Sequence, residues 1–267
     1  MTTDNKKAAL PDIFITGVMK GGTTILHDYI SAHPKISAGV QKEIHYFSLH
    51  YDKGPQWYAD HFKNVEPGTR TIDASPTYFD TTETALIPRL IKAYTPDPRV
   101  IVITRDPIER AISQFVHLKV TMKVPPLQDV EIDEFFAQDF TDAYRRTGIL
   151  GYYLNLVLSF SLYTRKLVTY QQHFEPHQLL VLDNKELRND TPAVMKRVYA
   201  FLNEDYSADE QFGVIKRSNG SSINQISLET YNKLAELLYP DYRSFCERTG
   251  IRFSKVEHSN EQHSAAA

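Results

Sequence analysis

The sequence predicts an α/β fold in which helices flank a central parallel sheet within a single domain. Two β-prone runs, residues 13–16 and 100–103, each pass through a short turn into a stretch with helical spacing of apolar residues. Alternation of strand and helix is typical of parallel sheets. The length of 267 residues is enough for one large domain with a well-buried core.

Composition narrows the class of protein. The net charge of −3 gives no basic field that would favour a nucleic-acid partner. The single cysteine, Cys246, excludes an intramolecular disulfide and fits a reducing compartment. No run approaches the ~18 apolar residues of a membrane span, and the N-terminus has no apolar segment typical of a signal peptide. We therefore expect a cytoplasmic protein without a membrane partner, or a domain excised from a longer chain; composition makes no prediction of its oligomeric state.

The elements follow one another along residues 11–257, between a disordered lead (1–10) and a flexible tail (258–267). A β-branched run favours a central strand at 99–104. Pro107 and Pro192 favour helix starts, and Gly250 favours a helix end. The other predicted strands are 12–16, 69–73 and 178–182. The predicted helices are 23–32, 51–62, 82–93, one starting at Pro107, 131–138, 147–173, 191–203 and 226–249.

The turn after the first strand is the strongest local signal. Glycine lets a backbone approach an anion closely, and N–H groups at a helix N-terminus attract phosphate. Gly17, Gly22 and Thr24 fit the nucleotide-binding pattern G-x-x-x-x-G-K-[ST], but Thr23 stands where the lysine belongs and a lysine appears at Lys20 instead. An NTPase needs that lysine on the β/γ-phosphates. The pattern therefore predicts a P-loop-like site for a 5′-phosphate that is not built for Mg-ATP; the alternative is an ordinary strand-to-helix turn.

The run Lys20-Gly21-Gly22-Thr23-Thr24 resembles the 5′-phosphosulfate loop of the sulfotransferases that use 3′-phosphoadenosine 5′-phosphosulfate (PAPS). The likeness is strongest to the heparan-sulfate sulfotransferase branch and its soluble bacterial relatives. It implies that these five residues bind PAPS and that 3′-phosphoadenosine 5′-phosphate (PAP) is the product. It also implies that Lys20 neutralises the charge that develops when the S–O bond breaks.

A second motif lies downstream, at Lys42-Glu43-Ile44-His45-Tyr46-Phe47. A carboxylate and an imidazole two residues apart point the same way if the segment is extended. The run resembles a Lys-Glu-x-His-aromatic-Phe pattern of the same family, which implies that Glu43 is the catalytic base and that His45 orients the acceptor or the sulfuryl group. The alternative is a polar surface turn. Asp73, at the end of a predicted strand, is either a secondary site residue or an N-cap or turn acid.

A third motif follows the strand at 99–104. Arg105, Pro107, Arg110 and Ser113 match the family pattern Arg-x-Pro-x-x-Arg-x-x-Ser. The resemblance implies that the planar fork of Arg105 and the hydroxyl of Ser113 bind the 3′-phosphate. We expect Arg110 to pair on the helix surface.

A fourth, glycine-containing stretch also suggests an anion-binding loop. The family places a Lys-Gly-Arg turn over the 3′-phosphate here, and Asn219-Gly220-Ser221 takes that place, with Lys216 or Arg217 as the source of the positive charge. The resemblance implies that four residues of this stretch bind the donor, namely Arg217, Ser218, Asn219 and Gly220.

These motifs predict a sulfotransferase that moves a sulfuryl group from PAPS to a hydroxyl or amine, with Glu43 as base and no metal. The acceptor is either a glycan or a small-molecule biosynthetic intermediate. Two alternatives stay open. A P-loop kinase or NTPase would bind Mg-ATP, and a non-catalytic module would bind PAP or glycan without transfer.

Overall fold

A computed structural model describes residues 10–63, 65, 68–80, 85–138, 148–206 and 223–256. The expectations for the lead, apart from Leu10, and for the tail 258–267 lie outside the described residues and stay predictions. The described residues contain five strands, all parallel, with helices on the sheet, which confirms the predicted fold class. The strands are β1 Ile13–Gly17, β2 Ile36–Ser37, β3 Arg70–Ala74, β4 Arg99–Thr104 and β5 Leu179–Asp183.

The described helices alternate with these strands along the chain. They are α1 Thr23–Ser31, α2 Tyr46–Leu49, α3 Gly54–Ala59, α4 Thr77–Asp80, α5 Leu86–Tyr94, α6 Pro107–Val116, α7 Ile132–Ala137, α8 Gly148–Phe160, α9 Thr164–Gln171, α10 Asn184–Asn189, α11 Thr191–Leu202 and α12 Leu228–Thr249. Shorter helical turns are Tyr51–Lys53, Asp60–Phe62, His117–Thr121, Pro125–Leu127 and Ile223–Gln225. Within the described ranges, no helix combines the length and apolarity needed to cross a bilayer.

The chain groups into two compact units, and the first, residues 1–104 and 166–215, is the sheet unit. Its strand order is β2-β3-β1-β4-β5, so β1 pairs with β3 on one side and with β4 on the other. Helix α1 packs on β1 and β3, and α11 contributes to the same apolar core. Because all strands are parallel, the chain leaves β1, β2 and β3 at the same edge of the sheet. This edge brings together the segments that carry the first two motifs.

The second unit, residues 105–165 and 216–267, is the helical unit and contains α6, α7, α8 and α12. Arg110 of α6 is fully buried in it, so the expectation that Arg110 pairs on the helix surface is wrong. Its Nε donates to Ser161 Oγ at 2.8 Å, and its terminal nitrogens donate to Gln114 Oε1 and to the carbonyl of Val157. A buried guanidinium needs such acceptors because unpaired burial of a charge is costly.

The predicted long helix at 147–173 is in fact two helices, α8 and α9. The chain breaks between them because the carboxylate of Asp241 accepts the backbone N–H of Tyr163 at 2.6 Å and that of Thr164 at 3.2 Å. These contacts supply an acceptor for the first N–H groups of α9. The acceptor comes from a distant helix, so no local glycine or proline marks the break.

Candidate active site

The loop between β1 and α1 is folded tightly back on the end of β4. Val18 N donates to the Ile103 carbonyl at 2.8 Å, and Gly21 N donates to the Val18 carbonyl at 2.8 Å. A Cβ on Gly21 would lie 2.6 Å from the Ile103 carbonyl oxygen. Gly22 has a φ of 106°, and a Cβ there would collide with Asn184 Nδ2. The loop therefore needs both glycines, and its shape suits a backbone that an anion approaches closely.

A buried carboxylate holds the loop from beneath. Asp80 Oδ2 accepts the backbone N–H of Met19 at 2.6 Å, and Asp80 Oδ1 lies 3.3 Å from Lys166 Nζ. The Asp80 side chain is fully buried, and Lys166 is 10% exposed. The ammonium of Lys166 also lies 5.7 Å from the centre of the Phe79 ring. Asp80 and Lys166 thus form a buried ion pair. Its carboxylate holds one loop N–H in place, and its ammonium balances the negative charge of that carboxylate.

Glu43 and His45 lie together at the start of α2. Glu43 Oε2 is 3.7 Å from His45 Nε2, and the side chains are 44% and 19% exposed. The segment is not extended, because Glu43 has a φ of 58° and His45 a φ of 54°. Two residues in the left-handed region bring the side chains together, and the pairing therefore does not depend on an extended backbone.

A buried network anchored in β3 positions His45. Its backbone N–H donates to Ser75 Oγ at 2.9 Å, and Ser75 Oγ donates to Asp73 Oδ1 at 2.6 Å. Asp73 Oδ2 also accepts the hydroxyls of Tyr58 at 2.8 Å and Tyr78 at 2.7 Å. Burial raises the pKa of Asp73, while the bonds from its three hydroxyl partners oppose that rise. Asp73 is therefore a buried hydrogen-bond acceptor that holds this segment in place.

The imidazole of His45 is held from its other side as well. His45 Nδ1 lies 2.8 Å from Thr77 Oγ1, and Thr77 Oγ1 lies 2.6 Å from Ser48 Oγ. This contact fixes the plane of the ring while Nε2 faces Glu43.

Lys42 links the loop to the carboxylate. Lys42 Nζ donates to Thr24 Oγ1 at 2.6 Å and to Glu43 Oε1 at 3.1 Å. The imidazole of His45 lowers the pKa of Glu43 most, partial burial opposes this, and the charge of Lys42 lowers it further, to about 2. Glu43 is therefore a carboxylate at neutral pH.

Arg105 and Ser113 belong to the helical unit. Asp106 caps α6 by accepting the N–H groups of Ile108 at 2.9 Å and Glu109 at 3.0 Å, and burial raises the pKa of Asp106 to about 6. Arg105 Nε donates to Glu109 Oε2 at 2.8 Å. Among the described residues, none accepts a hydrogen bond from the two terminal nitrogens of Arg105. Ser113 is buried on the second turn of α6.

The sheet unit therefore contains a connected group from the predicted site: Thr24, Glu43 and His45. Lys20 lies in the loop with a φ of 66°, and Gly21, Gly22 and Thr23 complete the turn into α1. The fourth predicted group, at 217–220, lies outside the described residues. Sequence reasoning gave no role to Lys42, Thr77, Asp80 or Lys166, although Lys42 stood within the motif that contains Glu43 and His45.

Comparison with known proteins identifies the family. The family model described as "Sulfotransferase domain" matches residues 10–253. The human protein "Heparan sulfate glucosamine 3-O-sulfotransferase 3A1" is 29% identical over 94% of this chain and 63% of its own length. The human 3B1 protein is also 29% identical, over 91% of this chain and 64% of its own length. The chain thus spans less than two thirds of the length of these relatives.

Solved structures share the fold. A sulfotransferase from Alicyclobacillus acidocaldarius superimposes with a TM-score of 0.73 at 21% identity, covering 92% of this chain and 98% of that one. The sulfotransferase domain from the curacin biosynthetic pathway gives a TM-score of 0.57 at 13% identity, covering 92% of this chain and all of that one (100%). At such identities the likeness establishes the fold alone.

Proposed function

The chain belongs to the sulfotransferase family, and from this premise we propose that it moves a sulfuryl group from PAPS to an acceptor hydroxyl or amine. One observation carries the proposal. A glycine-shaped loop and an ionised carboxylate lie on either side of a single ammonium, since Lys42 contacts both Thr24 and Glu43. A binding loop for an anion and a group that accepts a proton are the two parts that this reaction needs in one place.

The loop fits the 5′-phosphosulfate end of PAPS. At Gly21 and Gly22 the surroundings leave no room for a side chain, so the backbone itself faces the ligand. Thr23 and Thr24 begin α1, where the N–H groups and the helix dipole favour an anion. When bound, PAPS supplies a sulfuryl group whose bond to the 5′-phosphate oxygen breaks, with the electron pair leaving on PAP, as the acceptor bonds to sulfur. Lys20 neutralises the charge on that leaving oxygen.

Glu43 accepts the proton that the acceptor loses. Its carboxylate is ionised and 44% exposed, so an acceptor group can reach it. His45, fixed by Thr77 on one ring nitrogen, orients the acceptor or the sulfuryl group with the other. Arg105 and Ser113 are proposed to bind the 3′-phosphate, and the terminal nitrogens of Arg105 suit that role.

We propose a glycan as the acceptor, because the human relatives carry "Heparan sulfate glucosamine 3-O-sulfotransferase" in their names. A small-molecule intermediate is the second candidate. Incubating the protein with labelled PAPS and a library of both acceptor types, then detecting the sulfated product, separates them.

A calorimetric titration tests the donor. We expect PAP to bind without magnesium and more tightly than Mg-ATP. Tighter binding of Mg-ATP would favour a kinase and overturn the proposal. PAP binding without transfer to any acceptor, or to water, would instead indicate a non-catalytic module.

A further inference from the structure

We propose that Lys42 binds the sulfuryl oxygens of PAPS and holds the Glu43 carboxylate toward the acceptor. The inference rests on the proposed function. To the loop, the base and the orienting residue described above, it adds Lys42 as a residue that binds the group being transferred. It follows from the position of one ammonium between two groups with different tasks.

The contacts of Lys42 define that position. Its Nζ lies 2.6 Å from Thr24 Oγ1 on the loop side and 3.1 Å from Glu43 Oε1 on the other. An ammonium has three N–H donors, and these contacts with described residues use two of them. The Thr24 hydroxyl accepts from Lys42 and keeps its own hydrogen to donate, so a ligand oxygen bonded to it at a normal distance would lie within about 5.4 Å of Nζ.

Charge explains why a cation is needed there. PAPS and the Glu43 carboxylate are both negative, so they repel each other when the loop is loaded. Lys42 contacts the carboxylate and one loop hydroxyl, and its side chain is only 23% exposed, so solvent screens it little. A cation at this point offsets the repulsion and offers a positive charge to the sulfuryl oxygens, while the leaving oxygen is assigned to Lys20.

The competing explanation is structural: Lys42 could simply fasten its own segment to α1. The two explanations differ in one measurable respect. PAP lacks the sulfuryl group but shares the rest of PAPS. If Lys42 binds the sulfuryl group, its substitution therefore weakens the binding of PAPS alone. A structural fastening affects both nucleotides.

The experiment is calorimetric titration of PAPS and PAP, without acceptor, into wild type, Lys42→Met, Lys42→Gln and Lys42→Arg. We expect Lys42→Met and Lys42→Gln to weaken PAPS binding about tenfold to a hundredfold, the usual worth of a charged hydrogen bond, and to change PAP binding less than about threefold. Lys42→Arg keeps the charge and should restore most of the PAPS affinity. Equal losses for both nucleotides, or no loss, would overturn the inference.

Lys35→Met is the matched control. Lys35 is a lysine of the same unit, pairs with Glu204 at 3.6 Å, and precedes β2, so it lies at the sheet edge opposite the loop. The Lys35→Met variant should bind PAPS and PAP with wild-type affinity. A wild-type protein that binds no PAP at all would instead contradict the proposed function, and so the two failures are distinguishable.

A second readout tests the contact with Glu43 and needs no nucleotide. Carbon-detected NMR of labelled glutamate carboxyls gives the pKa of Glu43. We expect Lys42→Met and Lys42→Gln to raise it, because both remove the neighbouring positive charge, and Lys42→Arg to leave it low. An unchanged pKa in the two neutral variants would overturn the assignment of Lys42 to Glu43.

Discussion

Asp80 accepts the backbone N–H of Met19 at 2.6 Å, which places a fully buried carboxylate directly under a loop that is proposed to bind an anion. Such a negative charge opposes anion binding unless a cation accompanies it. Lys166, 3.3 Å away, is that cation. The pair therefore fixes the loop while leaving it close to neutral.

Breaking this pair should destabilise the protein. Asp80→Asn keeps an oxygen for Met19 but leaves Lys166 buried without its counter-charge. We expect the free energy of unfolding to fall by about 3–5 kcal/mol, measured by urea denaturation. The double variant Asp80→Asn/Lys166→Met should recover part of this loss, because no lone charge remains. Wild-type stability in Asp80→Asn would contradict the role of the pair.

The glycine at position 22 should be essential for nucleotide binding. Gly22→Ala puts a Cβ against Asn184 Nδ2 at a φ of 106°, so the Asn184 side chain or the loop has to move. We expect PAP affinity to fall by at least about tenfold in calorimetry. Gly54→Ala is the matched control, because Gly54 has a φ of 82° with no atom within 4 Å of the added Cβ. Both variants carry backbone strain of about 1–3 kcal/mol, but only Gly22→Ala should lose PAP.

Removing the proposed base, Glu43, should lower turnover and leave nucleotide binding nearly unchanged. Glu43→Gln cannot accept a proton, and a general base contributes about 10²–10⁴-fold, so we expect that loss in the rate of transfer from labelled PAPS. PAP affinity should stay within about threefold of wild type. If turnover were unchanged, the base would be reassigned, with His45 the first candidate.

Acid should reveal the interactions of Glu43. Its pKa is lowered from 4.5 to about 2, so the native state favours the ionised form. A group whose pKa is lower in the folded protein stabilises the fold at pH values above its pKa in the unfolded chain. That contribution disappears as the pH falls through its pKa in the folded protein. The stability difference between wild type and Glu43→Gln should therefore be constant above about pH 5 and shrink between pH 4.5 and 2.

His45→Asn provides the complementary measurement. Because the imidazole is the largest cause of the lowered pKa, this variant should raise the pKa of Glu43 in an NMR titration. A Glu43 pKa that stays near 2 without His45 would assign the shift to Lys42 instead.

Arg105 should discriminate between nucleotides. Arg105→Ala removes the fork proposed for the 3′-phosphate, so we expect PAP to bind about tenfold to a hundredfold more weakly, whereas adenosine 5′-monophosphate should bind as before. Glu109→Gln is the comparison variant, because it removes the negative charge 2.8 Å from Arg105 Nε without removing the fork. An equal loss for the two nucleotides in Arg105→Ala would contradict the assignment.

Most of the sheet could be predicted because its signals are local. Four strands lie within one residue of the predicted bounds, since apolar runs end there at glycine, proline or charged residues. The two-residue β2 is too short to produce a pattern. The break between α8 and α9 depends on Asp241, which lies 77 residues from Thr164 along the chain, and therefore has no local signal.

The candidate site divides in the same way. The loop and the pair Glu43 and His45 can be recognised as sequence motifs. Their left-handed backbone conformation cannot be predicted, because residues with side chains normally avoid positive φ. The contacts that hold them are distant in sequence: Asp80 lies 61 residues from Met19 and 86 from Lys166. Pairings of this kind arise from tertiary folding, which single-residue patterns do not encode.

The hydrogen bonds that run from β3 through Asp73 and Ser75 to His45 have a consequence for how such a protein diversifies. The segment that carries Glu43 and His45 is hydrogen-bonded to residues at the end of a central strand. Under the proposed function, exchanging surface loops for others should change the preferred acceptor without moving Glu43. Substrate preference can then evolve, or be engineered, as a trait separate from the chemistry itself.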